Sequence, residues 1–150
     1  MTGRILRLYP LPTREATPAS IHRDLRIIPE GDSDTNLPYT IANMVASADG
    51  RAAVGGKASG IGGAVDRIVM RNLRAQVDAV MVGAGTLRAE RLSLGLDETA
   101  RGPQPLAVVL TASGDLPVRA NLVPQESQDV LVICTEAIAG TFEGSPYDEA

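Results

Sequence analysis

Residues 78–90 read DAVMVGAGTLRAE, an apolar run that passes through two glycines into a helical pattern. Because residues 79–82 are uninterrupted and apolar, they predict a short buried strand, and a helix is predicted near residues 87–92. The turn at 83–86 presents backbone N–H groups at a helix start, where the helix dipole favours an anion. Thr86 can cap that helix or donate a hydrogen bond to a phosphate. The residues alone leave open a phosphate-binding turn and a glycine turn that Thr86 caps.

The glycine spacing argues against one common dinucleotide-binding fold. Doubly wound domains carry the pattern G-x-G-x-x-G after their first strand. Gly83 and Gly85 match the first two glycines of that pattern, but Arg88 occupies the position of the third. The pattern therefore disfavours a doubly wound dinucleotide-binding domain.

The segments on both sides of this stretch continue the alternation of strand and helix. Residues 39–46 (YTIANMVA) predict a buried strand, and residues 64–76 predict a helix. The apolar stripe of that helix consists of Val65, Ile68, Val69 and Leu73. Two further apolar runs, 106–111 (LAVVLT) and 130–134 (VLVIC), predict strands. Continuous apolar strands that alternate with helices predict an α/β fold.

The chain is predicted to consist of a leader and one domain. Residues 1–37 are rich in Pro, Asp, Ser and Thr, with one short apolar stretch at 25–28, and predict a polar leader. The domain is predicted to cover residues 38–150. Within it, residues 50–63 carry six glycines and predict a connection that is either mobile or able to approach a ligand with its backbone.

Composition narrows the class of ligand. The chain of 150 residues is 44% hydrophobic and 21% charged, as expected for one globular domain. Aromatic residues make up 3% and the net charge is −4, which argues against a nucleic-acid partner. Residues 51–102 nevertheless hold eight basic and five acidic side chains. This local excess of positive charge suits a small anionic ligand.

Cysteine and histidine are too few for several kinds of site. Cys134 and His22 are the single residues of their types, so a disulfide framework and a Cys/His zinc cluster are excluded and no metal is expected. The N-terminus lacks the apolar core of a signal peptide, and no run approaches the roughly 18 apolar residues of a membrane span. A cytoplasmic protein without a membrane partner is the expectation.

Several polar side chains are candidates for ligand contacts. Asn43 shares a face of the first predicted strand with Ser47, so it either faces a ligand cleft or forms a hydrogen bond within the core. Arg74 closes the predicted helix and could clamp a phosphate, although arginines are also common on the surface at helix ends. Lys57 and Ser59 in the glycine-rich connection are possible phosphate donors.

Two long segments together carry a family resemblance. Residues 38–61 (PYTIANMVASADGRAAVGGKASGI) and 72–90 (NLRAQVDAVMVGAGTLRAE) resemble the reductase domain of riboflavin biosynthesis. That family includes pyrimidine reductases and has a dihydrofolate-reductase-like fold, with a mixed, mostly parallel sheet flanked by helices. The resemblance runs over roughly residues 38–92 and continues more loosely through LAVVLT and DVLVIC.

The resemblance implies an activity and a set of site residues. It implies that NADPH delivers a hydride to the ribose carbon of 5-amino-6-(5-phosphoribosylamino)uracil, which opens the sugar to the ribityl product. Asn43 is implied to face the reaction centre. The implied cofactor-binding residues are Ala46, Gly83, Gly85, Thr86 and Glu90, and the implied residues for the phosphorylated pyrimidine substrate are Ser59, Arg74 and Leu94. A homodimer is the implied assembly.

The sequence also departs from the family pattern. Ala48 replaces the leucine of the usual Ser-Leu-Asp-Gly turn, and Asp97 stands where relatives often carry an arginine, a role that Arg101 could take. The motifs of the zinc deaminase domain found in many relatives are missing, so only reductase activity is expected.

The family pattern continues beyond the fourth predicted strand with a helix, a strand and a Gly-Gly turn for the cofactor phosphates. The fold is therefore expected to be incomplete, and the chain to be a piece of a longer reductase or a shortened relative. Two alternatives to the pyrimidine reductase stay open. One is a non-catalytic chain that binds nucleotide weakly or not at all, and the other is a dihydrofolate or pterin reductase of the same fold.

Overall fold

Three parallel strands form the sheet of the second of two units into which the chain divides, Met1–Gln76 and Val77–Ala150. The computed structural model describes residues 5–8, 12–18, 20–21, 37–90, 92–96, 102–117 and 128–143. Its strands and α-helices are, in chain order, β1 (Ile5–Arg7), β2 (Arg14–Ala16), α1 (Ala64–Arg74), β3 (Ala79–Gly83), α2 (Ala84–Glu90), β4 (Leu106–Leu110), β5 (Val130–Ile133) and α3 (Glu136–Ala139).

The sheet of residues 77–150 has β4 at its centre, with β3 and β5 as parallel neighbours. Its register aligns Gly83 of β3, Leu110 of β4 and Ile133 of β5 in one row. Parallel strands need a crossover between them, and α2 lies in the connection from β3 to β4. The α/β class predicted from the sequence is confirmed.

One face of this sheet carries the hydrophobic core. Leu87 of α2 and Val109 of β4 are fully buried, and both belong to one cluster of buried apolar side chains. The other members of the cluster are Ala84, Leu94, Ala107, Leu116 and Val130. Fully burying a Val or Leu side chain stabilises a fold by roughly 1.5–3 kcal/mol, so this cluster is the main source of stability in the unit.

The opposite face of the sheet is exposed at several positions, although Val108 of the central strand is buried there. Met81 is 58% exposed, and Leu110, Leu131 and Ile133 are each exposed by more than two fifths of their surface. The prediction that β3 is buried is therefore wrong for one of its faces. Val80 and Val82 pack against the core cluster while Met81 points away from it, because successive side chains of a strand alternate between faces.

The boundaries of β3, β4 and β5 agree with the sequence to within a residue, but α2 begins earlier than predicted. β4 ends at Leu110 and β5 at Ile133, one residue before each predicted end. The predicted helix near residues 87–92 begins already at Ala84 and ends at Glu90. Glycine residues 83 and 85 therefore form no separate turn, since the first ends the strand and the second is helical. The first residue of the helix is Ala84, and alanine has the highest helix propensity.

In residues 1–76 the described strands form a small antiparallel ribbon, with Leu6 of β1 opposite Glu15 of β2. The predicted helix at 64–76 is confirmed as α1, which ends two residues earlier, at Arg74. Asn72 of α1 donates a hydrogen bond from its side-chain nitrogen to the carbonyl oxygen of Pro18, at 2.9 Å. Part of the leader is thereby held against the helix. The apolar stretch at 25–28 lies outside the described residues.

Residues 39–46 form no strand, so this prediction is wrong. The stretch carries no regular secondary structure, and Asn43 and Met44 are exposed within it. A strand requires backbone hydrogen bonds from a neighbouring strand, and apolar composition by itself does not supply that neighbour. Among the described residues, nothing pairs with 39–46 in a ladder.

The glycine-rich connection contains a defined turn. Val54 and Lys57 exchange two backbone hydrogen bonds, of 2.9 and 3.2 Å, around Gly55 and Gly56. The φ angles of these glycines are 59° and 77°, in the left-handed region. Two consecutive positive φ angles define the two-residue type I′ hairpin turn, which glycine adopts without steric cost. This part of the connection is therefore built as a specific turn.

Two glutamines at the amino ends of β4 and β5 form side-chain hydrogen bonds with the backbone of neighbouring segments. The side chain of Gln104 accepts a hydrogen bond from the N–H of Leu96 at 2.7 Å and donates one to its carbonyl oxygen at 3.1 Å. Gln128 donates to the carbonyl oxygen of Pro105 at 2.9 Å. A Cβ atom on Gly95 would lie 2.9 Å from the Oε1 atom of Gln104 and 2.8 Å from that of Gln128. Glycine at position 95 therefore leaves the space that both amides occupy.

Gly95→Ala is expected to lower the free energy of unfolding by about 1–2 kcal/mol, because the new methyl group displaces amides that satisfy backbone groups. Urea unfolding measures the change. Gly85→Ala is the control, since a Cβ there meets only Arg88 Nη2 at 3.9 Å and alanine favours the helix. Equal losses in both variants would contradict the role of the glutamines.

Candidate functional site

The three connections that leave the carboxyl ends of the strands begin at one edge of the sheet. Gly83, Leu110 and Ile133 lie side by side, so the next residues of the chain, Ala84 and Thr111 among them, start from the same edge. Parallel α/β sheets bind their ligands outside this carboxyl edge. The edge is therefore the candidate binding site of residues 77–150.

The junction of β3 and α2 presents an open backbone at this edge. Gly83 is exposed, and a Cβ atom added to it would meet no atom within 4 Å. Gly85 and Thr86 are exposed in the first turn of α2. Thr86 is the third residue of the helix, so the alternative in which it caps the helix is wrong. Its hydroxyl makes no hydrogen bond within the part of the chain that the structure describes and points to solvent.

A second segment of the edge is the turn that follows β4, residues 111–115. Thr111 is buried, and its hydroxyl accepts a hydrogen bond from the N–H of Gly114 at 3.0 Å. Gly114 has a φ of 74°, and the N–H of Asp115 donates to the Ser113 hydroxyl at 3.4 Å. No prediction from the sequence covers this turn. Its signal was a Thr-Ala-Ser-Gly-Asp run directly after an apolar strand, a composition typical of turns.

Arg88 connects the two segments. Its Nη1 atom donates a hydrogen bond to the carbonyl oxygen of Asp115, and its Nε atom lies 3.5 Å from the carboxylate Oδ2 of the same residue. The residue that breaks the doubly wound glycine pattern therefore has a structural role of its own at this edge.

Two residues implied by the family resemblance lie away from the edge. Glu90 is half-buried at the end of α2, about 9 Å along the helix axis from Ala84. Leu94 is 2% exposed and packs in the core cluster. Its side chain contributes to stability, and only its backbone is left for contact with a ligand.

The implied residues of the first unit lie on separate elements. Asn43 and Ala46 are exposed on the irregular stretch before the turn at 47–51. Ser59 lies in the short 3-10 helix Ala58–Gly60, and Arg74 is the last residue of α1. Asn43 therefore does not share a buried strand face with Ser47, because no strand forms there.

The surroundings of Arg74 differ from those of an ordinary surface arginine. The side chain is partly buried, and this desolvation lowers the pKa of its guanidinium from the usual value. Its Nη2 atom donates to the sulfur of Met70, one turn earlier on α1, at 3.4 Å. A partly desolvated cation gains more from an anionic ligand than an exposed one does, because water screens the attraction less.

Two kinds of feature are absent from the described residues. None of their helices is long and apolar enough to cross a membrane. Among the same residues, no three His, Cys, Asp or Glu side chains are grouped so that they could hold a metal ion.

The fold and this edge define an α/β domain of the kind that binds small ligands at the carboxyl ends of parallel strands. Residues 38–142 match the model of the RibD C-terminal domain, and the chain belongs to that family. The resemblance found from the motifs is confirmed at the level of the family. None of the solved structures matches the chain significantly.

Three relatives show how much of the family the chain covers. It is 30% identical over 102 residues to the 2,5-diamino-6-ribosylamino-4(3H)-pyrimidinone 5′-phosphate reductase of Methanothermobacter thermautotrophicus, with 67% of this chain and 47% of the relative aligned. It is 31% identical over 113 residues to the chloroplastic riboflavin biosynthesis protein PYRR of Arabidopsis thaliana, with 73% and 18% aligned. The riboflavin biosynthesis protein RibD of Mycobacterium tuberculosis is 30% identical over 101 residues, with 65% and 30% aligned. The chain thus spans less than half the length of these relatives.

Leu94→Ala is expected to lower the free energy of unfolding by about 2–5 kcal/mol, because it leaves a cavity in the core cluster. Urea unfolding followed by circular dichroism measures this loss. Leu131→Ala makes the same chemical change at a side chain that is 41% exposed and is expected to cost about 1 kcal/mol or less. A small loss for Leu94→Ala would show that this side chain is not part of the core.

Proposed function

We propose that the chain provides part of an NADPH-dependent pyrimidine reductase, which reduces 5-amino-6-(5-phosphoribosylamino)uracil to the ribitylamino product in riboflavin biosynthesis. The observation that carries the proposal is family membership over residues 38–142 together with an open backbone at the carboxyl edge of the sheet. A relative named as a reductase of a ribosylamino-pyrimidine 5′-phosphate supports the substrate class.

In this proposal the carboxyl edge binds the cofactor. The exposed backbone at Gly83 and Gly85 approaches the nucleotide closely, and the Thr86 hydroxyl donates a hydrogen bond to one of its phosphates. From the resemblance of the sequence motifs we also assign the backbone of Ala46, and Glu90, to the cofactor. When bound, the nicotinamide supplies a hydride, and the protein's part is to bind and orient the reactants.

The substrate contacts are assigned to the other residues of the family pattern. The guanidinium of Arg74 binds the substrate phosphate with Ser59 as a second donor, and the backbone at Leu94 contacts the substrate. Asn43 faces the reaction centre, where an amide can orient the sugar through its donor and acceptor atoms. Partial burial of Arg74 supports its assignment, since a desolvated guanidinium is a strong partner for a phosphate.

A second candidate function is a chain that binds nucleotide weakly or not at all and does not catalyse. One observation favours it. Residues 39–46, with exposed apolar side chains such as Tyr39 and Met44, are not paired in a ladder among the described residues.

The two candidates are separated by titrating the 150-residue chain with NADPH and, separately, with NADH, while nucleotide fluorescence and Tm are recorded. Saturable binding that raises Tm supports the reductase, since a ligand at about 100 times its Kd stabilises the folded state by about 2.7 kcal/mol. No binding of either nucleotide by a folded chain supports the second candidate.

Thr86→Val is expected to raise the Kd for NADPH about tenfold, because the variant keeps the shape of threonine but loses the donor to a charged phosphate. Little change in Tm is expected, since the side chain is exposed. Thr86→Ser keeps the hydroxyl and should keep the affinity. A loss of Tm without a loss of affinity would contradict the assignment of Thr86 to the cofactor.

Arg74→Ala is expected to weaken binding of the phosphorylated substrate about tenfold or more, and of its dephosphorylated analogue much less. Calorimetric titration with both compounds measures the difference. Arg67→Ala removes an exposed arginine from the same helix and should affect neither compound. Equal losses for the two compounds in Arg74→Ala would remove this residue from the phosphate site.

A further inference from the structure

Arg88 of α2 contacts the turn after β4 and so joins the two segments of the carboxyl edge. It follows the first turn of α2, and long helical side chains fold back toward the N-terminus of their helix. A Cβ atom added to Gly85 would lie 3.9 Å from Arg88 Nη2, which places the guanidinium beside that first turn. The Nη1 and Nε atoms of the same guanidinium face Asp115 in the turn after β4.

The contact with Asp115 is mainly a contact with its backbone. Nη1 donates to the carbonyl oxygen, which any residue at position 115 would present. The ion pair through Nε is longer, at 3.5 Å, and its two side chains are 40% and 71% exposed. Exposed ion pairs contribute little to stability, whereas a charged donor to a carbonyl forms one of the stronger hydrogen bonds. The guanidinium therefore fixes the backbone of the turn mainly through the hydrogen bond to the Asp115 carbonyl oxygen, and its ion pair with the Asp115 carboxylate is secondary.

The turn has further internal ties on the side away from Arg88. Thr111 bonds the N–H of Gly114, and Leu116 is buried in the core cluster. A Cβ atom on Gly114 would lie 3.6 Å from Ile138 and 3.8 Å from Phe142, so the turn also rests on the segment around α3. Arg88 supplies a tie from α2, the element that carries Gly85 and Thr86.

We propose that Arg88 is a positioning residue for the nicotinamide nucleotide. Its side chain holds the turn at 111–115 in a fixed position relative to the first turn of α2. This inference rests on the proposed function, and it adds the turn at 111–115, which lies at the same carboxyl edge, to the segments that the nucleotide contacts. A ligand that bridges two loose segments loses affinity through the entropy of ordering them, and a tie that orders them beforehand removes that cost. Arg88 acts through the turn and is not assigned a contact with the nucleotide.

The test compares variants of the 150-residue chain by their Kd for NADPH and by amide hydrogen exchange. Arg88→Met, which keeps a long side chain without donors, is expected to raise the Kd about fivefold. Arg88→Lys is expected to have a Kd between those of Arg88→Met and the unchanged chain. An ammonium group can donate to the carbonyl oxygen but lacks the several fixed donors of a guanidinium. Asp115→Asn should have a Kd near that of the unchanged chain, because the variant keeps the backbone carbonyl oxygen that accepts the hydrogen bond from Arg88. Arg67→Met is the control for the loss of one positive charge.

Hydrogen exchange separates positioning from a general loss of stability. In Arg88→Met without ligand, the amides of Gly114, Asp115 and Leu116 are expected to exchange faster, while those of 107–109 in β4 keep their protection. Saturating NADPH should restore the protection of the turn. An unchanged Kd, or faster exchange throughout the sheet, would overturn the proposal.

The outcome for the unchanged chain distinguishes this inference from the proposed function. If that chain binds neither NADPH nor NADH, the proposed function fails for it, and Arg88 is judged by the exchange data alone. Selective loss of protection at 114–116 in Arg88→Met would then support Arg88 as the residue that positions the turn. Unchanged exchange there would refute it.

Discussion

The packing of the inner face of the parallel sheet on α2 is the constraint on which the rest of residues 77–150 depends. Leu87 and Val109 meet in the core cluster, and the inward side chains of β3 join them. Because side chains alternate along a strand, a shift of one residue in register would turn Val80 and Val82 away from this core. Burial therefore determines the register, and the register aligns Gly83, Leu110 and Ile133 at one edge.

The amino and carboxyl ends of the strands differ in how far side chains cover the backbone. At the amino end, the side chains of Gln104 and Gln128 satisfy backbone groups of neighbouring segments and fill the space beside Gly95. At the carboxyl end, the strands lead directly into a helix and a tight turn, and the backbone at Gly83 stays open. The carboxyl end therefore combines exposed backbone with polar side chains, which suits a small polar ligand.

Arg88 shows how this edge differs from that of a doubly wound domain. In those domains a third glycine permits close packing of helix on strand. Here α2 packs through the small Ala84 and through Leu87, and position 88 faces outward toward Asp115. The helix therefore does not need a glycine at that position, and an arginine there links the helix to the neighbouring turn. Arginine in place of the third glycine at position 88 is therefore compatible with helix packing at this edge.

The sequence by itself determined the elements that have a clear pattern of apolar residues along the chain. The stripe of Val65, Ile68, Val69 and Leu73 specifies α1, and the apolar runs at 106–111 and 130–134 specify two strands, because short apolar runs bounded by turn residues favour strands. The motif order also identified the family. The tertiary structure decided which apolar residues are covered, since exposure depends on neighbours from distant parts of the chain. Within the described part of the chain it paired 39–46 with no other strand. It also buried Leu94 and joined Arg88 to a turn 27 residues away, because hydrogen bonds and packing between remote segments have no signature in local sequence.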